Sequence, residues 1–232
     1  MKKISKRFQL LKALISSKIY TMDKGIKLLK LISNAKFIES VEAHISLNIN
    51  PKYTNQQIRS TLVLPHGNGK ILRIAIFLDS INSINIFKKD ILILNYSKLV
   101  EKISNNSIDF DVLLTTPEFM PQLTKLGKIL STKHLMPSIK SNTLTTDLNK
   151  SIEELEKGKI EYRSDKLGNI HINFGKIDFL DNKLKENLLT IYNSIEKNKP
   201  IGLKGKYFKS FNICSTMSPN IKLDLNEFKK LF

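Results

Sequence analysis

The stretch Leu64-Pro65-His66-Gly67-Asn68-Gly69-Lys70 separates two different hydrophobic patterns and decides how the chain divides. Its Gly-x-Gly-Lys sequence suits a phosphate-binding loop, whereas its proline and two glycines suit a hinge between domains. The nucleotide-binding loop requires glycine at position 64 and serine or threonine at position 71, where this chain has leucine and isoleucine. The dinucleotide fingerprint also fails, because this turn precedes a strand pattern instead of opening a helix. We therefore predict a hinge at Gly67 and Gly69.

The residues before this stretch alternate between apolar and polar side chains. Residues 41–49 follow a period of two, which is typical of a strand with one face on a core and one polar face. A second strand is predicted at 58–64, and helices are predicted at 5–15 and 22–34. The first part of the chain therefore predicts mixed α/β structure.

The residues after Lys70 follow another pattern, in which short segments are almost entirely apolar. These segments are 71–78, 91–94 and 110–114. Continuous apolar strands are typical of sheets that are covered on both faces. Helical patterns lie between and after them, at about 80–89, 97–105, 117–130 and 147–157. Alternating strands and helices predict a small parallel α/β unit.

The alternating pattern returns after Gly158, which we predict to cap a helix and to form a second hinge position. The predicted elements that follow are strands at 159–164 and 169–174, a helix at 181–197, and strands at about 206–215 and 221–225. The first two strands flank residues 165–168, whose glycine is typical of a hairpin turn.

The charge distribution supports the same division. The chain has 38 Lys and Arg against 21 Asp and Glu, a net charge of +17. Residues 70–158 hold only +2 of it, whereas residues 1–69 hold +9 and residues 159–232 hold +6. We predict that the two flanks form one strongly basic domain and that 70–158 is a near-neutral insertion. Such an excess of positive charge implies a polyanionic partner, and no apolar run approaches the length of a membrane span.

The chemically reactive residues show no catalytic or metal-binding spacing. The histidines His44, His66, His134 and His171 are scattered, without a second ligand at metal spacing. The single cysteine, Cys214, lies in an apolar strand pattern, which predicts a buried thiol. We therefore predict no catalytic residues, no metal and no cofactor.

Two segments of the basic flanks have features of nucleic-acid contacts. Lys36 and Phe37 join a helix to a strand, and the Phe37 ring is suited either to stacking on a base or to packing on the core. Residues 215–219 end a strand with small hydroxyl side chains, which suit phosphates and 2′-hydroxyls but also occur in ordinary turns.

Motifs throughout the chain point to one family. They are Ala35–Glu42, Gln57–Gly67, Gly69-Lys70, Asp109–Asp111, Thr116-Pro117, Leu126-Gly127, Leu135–Pro137, Lys159–Lys166, Gly168, His171, Gly175-Lys176, Leu184–Leu188 and Ser215–Met217. In this order and spacing they resemble the L-one family of large-subunit ribosomal proteins, in its bacterial and plastid form. Residues 51–57 and 204–210 are most similar to plastid members.

The resemblance implies a two-domain α/β fold. One domain is a discontinuous split α/β domain made of 1–69 plus 159–232, and the other is an inserted three-layer Rossmann-like α/β domain, 70–158. It also implies a structural ribosomal protein, not an enzyme, that is monomeric within the ribosome. Its expected location is the plastid or chloroplast stroma, with the bacterial cytoplasm as the alternative.

The resemblance further implies RNA partners. These are large-subunit ribosomal RNA at the mobile stalk near the exit site, the deacylated tRNA released there, and the protein's own messenger, whose translation it would repress. The implied RNA-binding residues are Lys36, Phe37, Ser40, Glu42, Asp165, Lys166, Gly168, His171, Ser215, Thr216 and Met217. Two other functions remain open, a free regulatory protein acting on messenger RNA and a nucleotide-using enzyme built on the inserted sheet.

The chain departs from the family at two places. Residues 131–134, Ser-Thr-Lys-His, stand where the family has Gly-Pro-Arg-Gly, and Ser218 stands where it has glycine. If position 218 requires a positive φ or a close approach to RNA, serine would weaken the contact.

Overall fold

The structure is a computed structural model that describes residues 5–15, 19–78, 91–105, 107–203 and 205–230. Its helices are α1 (Lys6–Leu14), α2 (Met22–Ile32), α3 (Tyr96–Ser104), α4 (Met120–Thr124), α5 (Gly127–Thr132), α6 (Leu148–Glu156), α7 (Asp181–Lys197) and α8 (Leu225–Lys230). Its strands are β1 (Ser40–Leu47), β2 (Arg59–Val63), β3 (Ile74–Phe77), β4 (Leu92–Leu94), β5 (Val112–Thr115), β6 (Lys159–Arg163), β7 (Asn169–Lys176), β8 (Phe208–Ser215) and β9 (Ile221–Leu223).

Contacts divide the chain into two compact units. Unit 1 comprises Met1–Gly69 and Ile160–Phe232, and unit 2 comprises Lys70–Lys159. The second boundary therefore follows Lys159, one residue after the position predicted from the sequence. Lys159 is buried, and its ammonium group donates to Glu154 at 2.6 Å, which ties this residue to unit 2.

Unit 1 is built on an antiparallel sheet with the strand order β7-β1-β8-β9. In β1 the side chains of Val41, Ala43, Ile45 and Leu47 are buried, and those between them lie on the opposite face. This alternation confirms the strand with one core face and one polar face. A separate two-stranded sheet pairs β2 with β6.

Helices α2 and α7 pack on the apolar face of this sheet. Gly25 of α2 lies so close to it that an added Cβ would stand 2.5 Å from a methyl group of Leu223. In α7, Leu184, Leu188, Ile191 and Ile195 are fully buried, as their spacing predicts. The opposite face of the sheet presents polar side chains and carries the candidate site.

Helix α8 was not predicted, and the predicted strand 221–225 is too long. The strand ends at Leu223, and the Asp224 carboxylate accepts from the backbone N–H of Asn226 at 2.9 Å, an N-terminal cap that starts α8. Glu227 of α8 in turn accepts from the N–H of Met22 at 2.6 Å, so it caps α2. Phe228 is fully buried and stacks on Tyr192 and Phe211.

Unit 2 contains a parallel sheet with the order β4-β3-β5. One face packs on buried residues of α3, α4 and α5, and the other face packs on α6. These three layers confirm the predicted α/β class and explain why the strands are almost entirely apolar.

The predicted single helix at 117–130 is wrong. The segment forms a 3-10 turn at Pro117–Phe119, then α4, then α5 from Gly127. Two prolines, at 117 and 121, lack the N–H that a continuous helix would use, and each lies at the start of its own short element. The helix predicted at about 80–89 lies outside the described residues.

Residues 131–134, which depart from the family sequence, form the end of α5 and the turn that follows it. His134 follows the end of α5 and has φ 58°, a left-handed conformation that glycine adopts most easily. Leu135 donates its N–H to the Leu130 carbonyl at 2.9 Å, the closing bond of such a helix end. Histidine therefore keeps the turn at a conformational cost that glycine would avoid.

Within the described ranges, no helix is both long and apolar enough to cross a bilayer.

Candidate nucleic-acid interface

The predicted RNA-binding residues all lie in unit 1, on the polar side and ends of the β7-β1-β8-β9 sheet. One group surrounds the start of β1 and the end of β8, a second lies on the polar face, and a third forms the turn before β7. The six residue steps from Ser40 to Ser46 along β1 span about 20 Å. The structure therefore brings residues from three separate segments together at this side of the sheet.

A buried carboxylate organises the first group. Glu39 is only 1% exposed, and one of its oxygens accepts from the Ala35 N–H at 3.1 Å. Its other oxygen accepts from the Ser215 hydroxyl at 2.6 Å and from the Met217 N–H at 3.0 Å. Burial alone would raise the pKa of Glu39, but these three hydrogen bonds outweigh it and leave the pKa below its ordinary value. Glu39 therefore holds the loop before β1 against the loop after β8.

The structure differs from the sequence prediction at two residues, Ser215 and Glu39, which are both buried. Ser215 is 1% exposed, and its hydroxyl is engaged by Glu39 and by the Ser33 hydroxyl at 3.0 Å. Ser215 therefore lies beneath the surface, where its hydrogen bonds help to position Thr216 and Met217. The sequence did not single out Glu39 as a site residue. Its one available signal was its position beside the predicted Lys36 and Ser40.

Thr216 closes the same end of the sheet. Its hydroxyl oxygen accepts from the Ser40 N–H at 3.1 Å, and its own N–H donates to the Ser40 carbonyl at 3.1 Å. Around this clamp, Lys36 and Thr216 are exposed, and the side chains of Phe37 and Met217 are 54% and 50% exposed. The Phe37 ring therefore lies on the surface, which decides between the two placements that the sequence left open.

Ser218 also has a defined contact. Its hydroxyl oxygen accepts from the Ser215 N–H at 2.8 Å. Its backbone has no positive φ, so serine fits the conformation of this turn without strain.

The turn at 165–168 is shaped by Asp165 and Gly168. One Asp165 oxygen accepts from the N–H groups of Leu167 and Asn169 at 2.8 and 2.7 Å. Burial would raise the pKa of Asp165, but these hydrogen bonds lower it below its ordinary value. Gly168 has φ 82°, and an added Cβ would lie 3.1 Å from Ile49. Asp165 and Gly168 therefore build the turn, and Lys166 is the exposed cation at its tip.

The polar face between these groups holds a cluster of Glu42, His44, His171 and Cys214. The Nδ1 atoms of the two histidines are 2.7 Å apart, and His44 Nε2 is 3.0 Å from the Cys214 sulfur. Burial and the neighbouring His171 lower the pKa of His44, whereas burial and the nearby Glu42 raise the pKa of Cys214 to about 11. The histidines are scattered in the sequence, but strand register places His44 opposite His171. Cys214 is half-buried on this polar face, not enclosed in the core as its sequence suggests.

The predicted hinge glycines have positive φ values: 64° for Gly67, 73° for Gly69 and 91° for Gly158. The Gly67 carbonyl accepts from the buried Asn187 amide at 2.9 Å, and an added Cβ on Gly69 would lie 3.0 Å from Lys176. The Asn187 hydrogen bond holds the turn within unit 1, and the space beside Lys176 leaves no room for a side chain at position 69. Gly67 and Gly69 therefore provide turn geometry, and the chain leaves unit 1 after Gly69.

An antiparallel sheet with helices on one face and a preorganised polar surface on the other, interrupted in sequence by a parallel α/β unit, defines a split α/β protein with an insertion. Comparison with known families agrees with this class of fold and identifies the family. The chain belongs to the ribosomal protein L1p/L10e family, whose model matches residues 28–219.

Individual relatives match over almost their whole length. The chain is 47% identical over 229 residues to the large ribosomal subunit protein uL1c of Guillardia theta, covering 99% of this chain and 98% of that protein. It is 45% identical to uL1c of Porphyra purpurea, covering 97% of this chain and 98% of that protein. It is 44% identical to uL1 of Prochlorococcus marinus strain MIT 9515, covering 97% and 96%. These algal and cyanobacterial relatives confirm the predicted family and its plastid and bacterial type.

Proposed function

We propose that this protein is a structural component of the large ribosomal subunit and that unit 1 binds ribosomal RNA through the polar side of its sheet. Its family and the names of its relatives support a ribosomal role without catalysis. The observation that carries the RNA assignment is the first group of the interface. There a buried Glu39 holds an exposed cation, an exposed aromatic ring and an exposed hydroxyl in fixed positions on a strongly basic unit.

Each part of this surface suits a different feature of RNA. The Phe37 ring offers a face on which a base or sugar stacks, and Lys36 and Lys166 neutralise phosphates. Thr216, Ser40, Glu42 and His171 present donors and acceptors to 2′-hydroxyls and base edges. Because the Glu39 and Thr216 hydrogen bonds already fix both loops, little conformational entropy is lost on binding.

The proposal extends to the stalk near the exit site and to the plastid stroma, which follow from the family resemblance and from plastid-type relatives. Unit 1 would hold the RNA while unit 2 changes position during release of tRNA. One pivot would be the residues between Gly69 and Arg73, because the turn before Gly69 is held within unit 1. The other would be the crossing at Gly158 and Lys159, where Gly158 has a positive φ. Repression of the protein's own messenger would use the same surface on a similarly folded RNA.

Replacement of Phe37 by alanine tests the RNA surface directly. We expect Phe37→Ala to lower affinity for a stalk RNA fragment by about 1–3 kcal/mol through loss of stacking. Ile139→Ala is the matched control, since Ile139 is an apolar side chain of unit 2 that is 74% exposed. Equal affinity for both variants and the original protein would disprove the assignment of Phe37.

Fractionation separates the ribosomal role from a free regulatory one. In a sucrose gradient of lysate the protein should sediment with the large subunit, and RNA footprinting of that particle should show protection at the stalk. Recovery only in the light fractions would instead support a free regulator of messenger RNA.

A further inference from the structure

Two neighbouring strands of unit 1 place three metal-ligand atoms at one point on the polar sheet face. Glu42 and His44 come from β1, and Cys214 comes from β8, where it lies opposite Glu42 in the register. One ligand atom from each of these residues lies within 4.8 Å of the other two. His44 Nε2 is the central atom, 3.0 Å from the Cys214 sulfur and 3.7 Å from a Glu42 oxygen.

The neighbouring groups determine which His44 nitrogen carries the proton. Two Nδ1 atoms 2.7 Å apart, on His44 and His171, require one donor and one acceptor. His171 Nε2 lies 3.7 Å from an Asp165 oxygen, and a carboxylate favours the proton on that nitrogen. His171 Nδ1 is then the acceptor, and His44 Nδ1 is the donor. The His44 Nε2 lone pair therefore points at the thiol and the carboxylate.

We propose that Glu42, His44 and Cys214 bind a divalent transition-metal ion of the zinc class, with the fourth coordination position open to solvent. Imidazole, thiolate and carboxylate together are typical zinc ligands, whereas calcium and magnesium take oxygen ligands only. In tetrahedral zinc sites the ligand atoms stand about 3.3–3.8 Å apart. The three atoms here lie within 4.8 Å of one another, so side-chain movements of about 1 Å bring them to that geometry.

A bound metal ion also requires an oriented histidine ligand and a neutralised charge, and the surrounding groups supply both. The His44 nitrogen that faces away from the thiol is held by a hydrogen bond to His171 at 2.7 Å, and the Asp165 carboxylate lies 3.7 Å from the other nitrogen of His171. A metal-bound histidine is ordinarily oriented by a hydrogen bond at its second nitrogen. Binding breaks the Cys214 S–H bond, releases its proton to the buffer and forms a metal–sulfur bond. The thiolate and the Glu42 carboxylate then neutralise the ion, which matters in a chain of net charge +17.

This inference does not rest on RNA binding, although Glu42 and His171 also belong to the proposed interface. Its test uses the full-length, untagged protein without RNA, so that failure of one proposal leaves the other standing. A phosphine reductant keeps Cys214 as a thiol, because dithiols would themselves bind the metal. Cobalt(II) is the probe, since its spectrum reports both ligand type and geometry.

Titration should give one equivalent of bound cobalt, with a thiolate charge-transfer band in the near ultraviolet and intense visible bands of tetrahedral coordination. Cys214→Ser should remove the charge-transfer band, and His171→Ala should weaken binding by roughly 10–100-fold. His134→Asn is the control and should keep both bands. It removes a histidine outside the cluster, and asparagine tolerates the positive φ at that position.

Glu42→Gln provides a second variant that preserves side-chain shape, in case Cys214→Ser does not fold. It should weaken cobalt binding at least about tenfold while circular dichroism stays unchanged. Absence of a stoichiometric thiolate band in the original protein would overturn the proposal. Retention of the same band in Cys214→Ser, or unaltered cobalt affinity in folded Glu42→Gln, would overturn it as well.

Discussion

At the residue scale, the most consequential side chain is Glu39, which bonds three donors from two separate loops. Glutamine at this position would direct an NH2 group at one of these donors. We expect Glu39→Gln to lower the free energy of unfolding at neutral pH by about 1.5–3 kcal/mol, the range for hydrogen bonds to charged groups. Urea denaturation measures this change, and the exposed Glu196→Gln is a control expected to stay within about 0.5 kcal/mol.

The pH dependence gives a second readout for Glu39. Its pKa in the folded protein lies below the ordinary value of 4.5, so its carboxylate stabilises the fold above that pH. This stabilisation is lost as the pH falls through the lowered pKa. The difference in unfolding free energy between the original protein and Glu39→Gln should therefore shrink as the pH decreases below 4.5. A difference that stays constant would show that the charge of Glu39 is not the cause.

Two buried tyrosines of unit 1 differ in one respect that mutation can isolate. The Tyr192 hydroxyl is buried without a hydrogen-bond partner among the described residues, whereas the Tyr162 hydroxyl bonds Ser194 at 2.8 Å and Asn198 at 2.9 Å. Tyr192→Phe should raise the unfolding free energy by about 1 kcal/mol, because it removes an unsatisfied polar group. Tyr162→Phe should lower it by about the same amount. Urea midpoints at unchanged slope compare the two variants, and a loss of stability in Tyr192→Phe would contradict the interpretation.

At the element scale, the close approach of α2 to the sheet depends on Gly25. Alanine favours a helix over glycine by about 1 kcal/mol, but its Cβ would lie 2.5 Å from Leu223. We expect the cost of this clash to exceed the gain in helix propensity, so that Gly25→Ala lowers the free energy of unfolding by about 1–3 kcal/mol.

Gly127 at the start of α5 is the matched control for Gly25. An added Cβ there would lie 3.9 Å from Met136, an ordinary contact. Gly127→Ala should therefore leave the free energy of unfolding unchanged or raise it. Calorimetric unfolding of both glycine variants measures the two changes. A similar loss in both variants would mean that packing against β9 is not what requires glycine in α2.

At the scale of the whole molecule, the positive charge is concentrated in the sequence segments that form unit 1. Residues 70–158 carry +2 of the total +17. RNA affinity should fall steeply with salt, and each lost phosphate contact should reduce the slope of log K against log salt by about 0.7–0.9. We expect this reduction for Lys166→Gln in unit 1 and no change for Lys140→Gln, an exposed lysine of unit 2. Equal slopes for both variants would refute the placement of the RNA surface on the turn before β7.

Features that depend on neighbours in the chain are readable from the amino-acid sequence. Alternation identified β1, continuous apolar runs identified the parallel sheet, and the charge of each segment indicated the basic flanks. These patterns are local, because side-chain period follows from backbone geometry. The helical pattern of residues 117–130 predicts one helix, and this prediction is wrong because two prolines and Gly127 divide the segment into shorter elements.

Contacts between residues that are distant in the chain follow from the three-dimensional fold and not from local patterns. Strand register brings His44 against His171, 127 residues away, and against Cys214, 170 residues away. It also encloses Glu39 between two loops and leaves Phe37 outside the core. Local patterns assign each strand residue to one face of the sheet, but they do not identify its partner on the neighbouring strand. A shift of one residue in pairing would turn these side chains to the other face. The polar cluster and the preorganised loops therefore depend on register, which packing of α2 and α7 against the apolar face of the sheet selects.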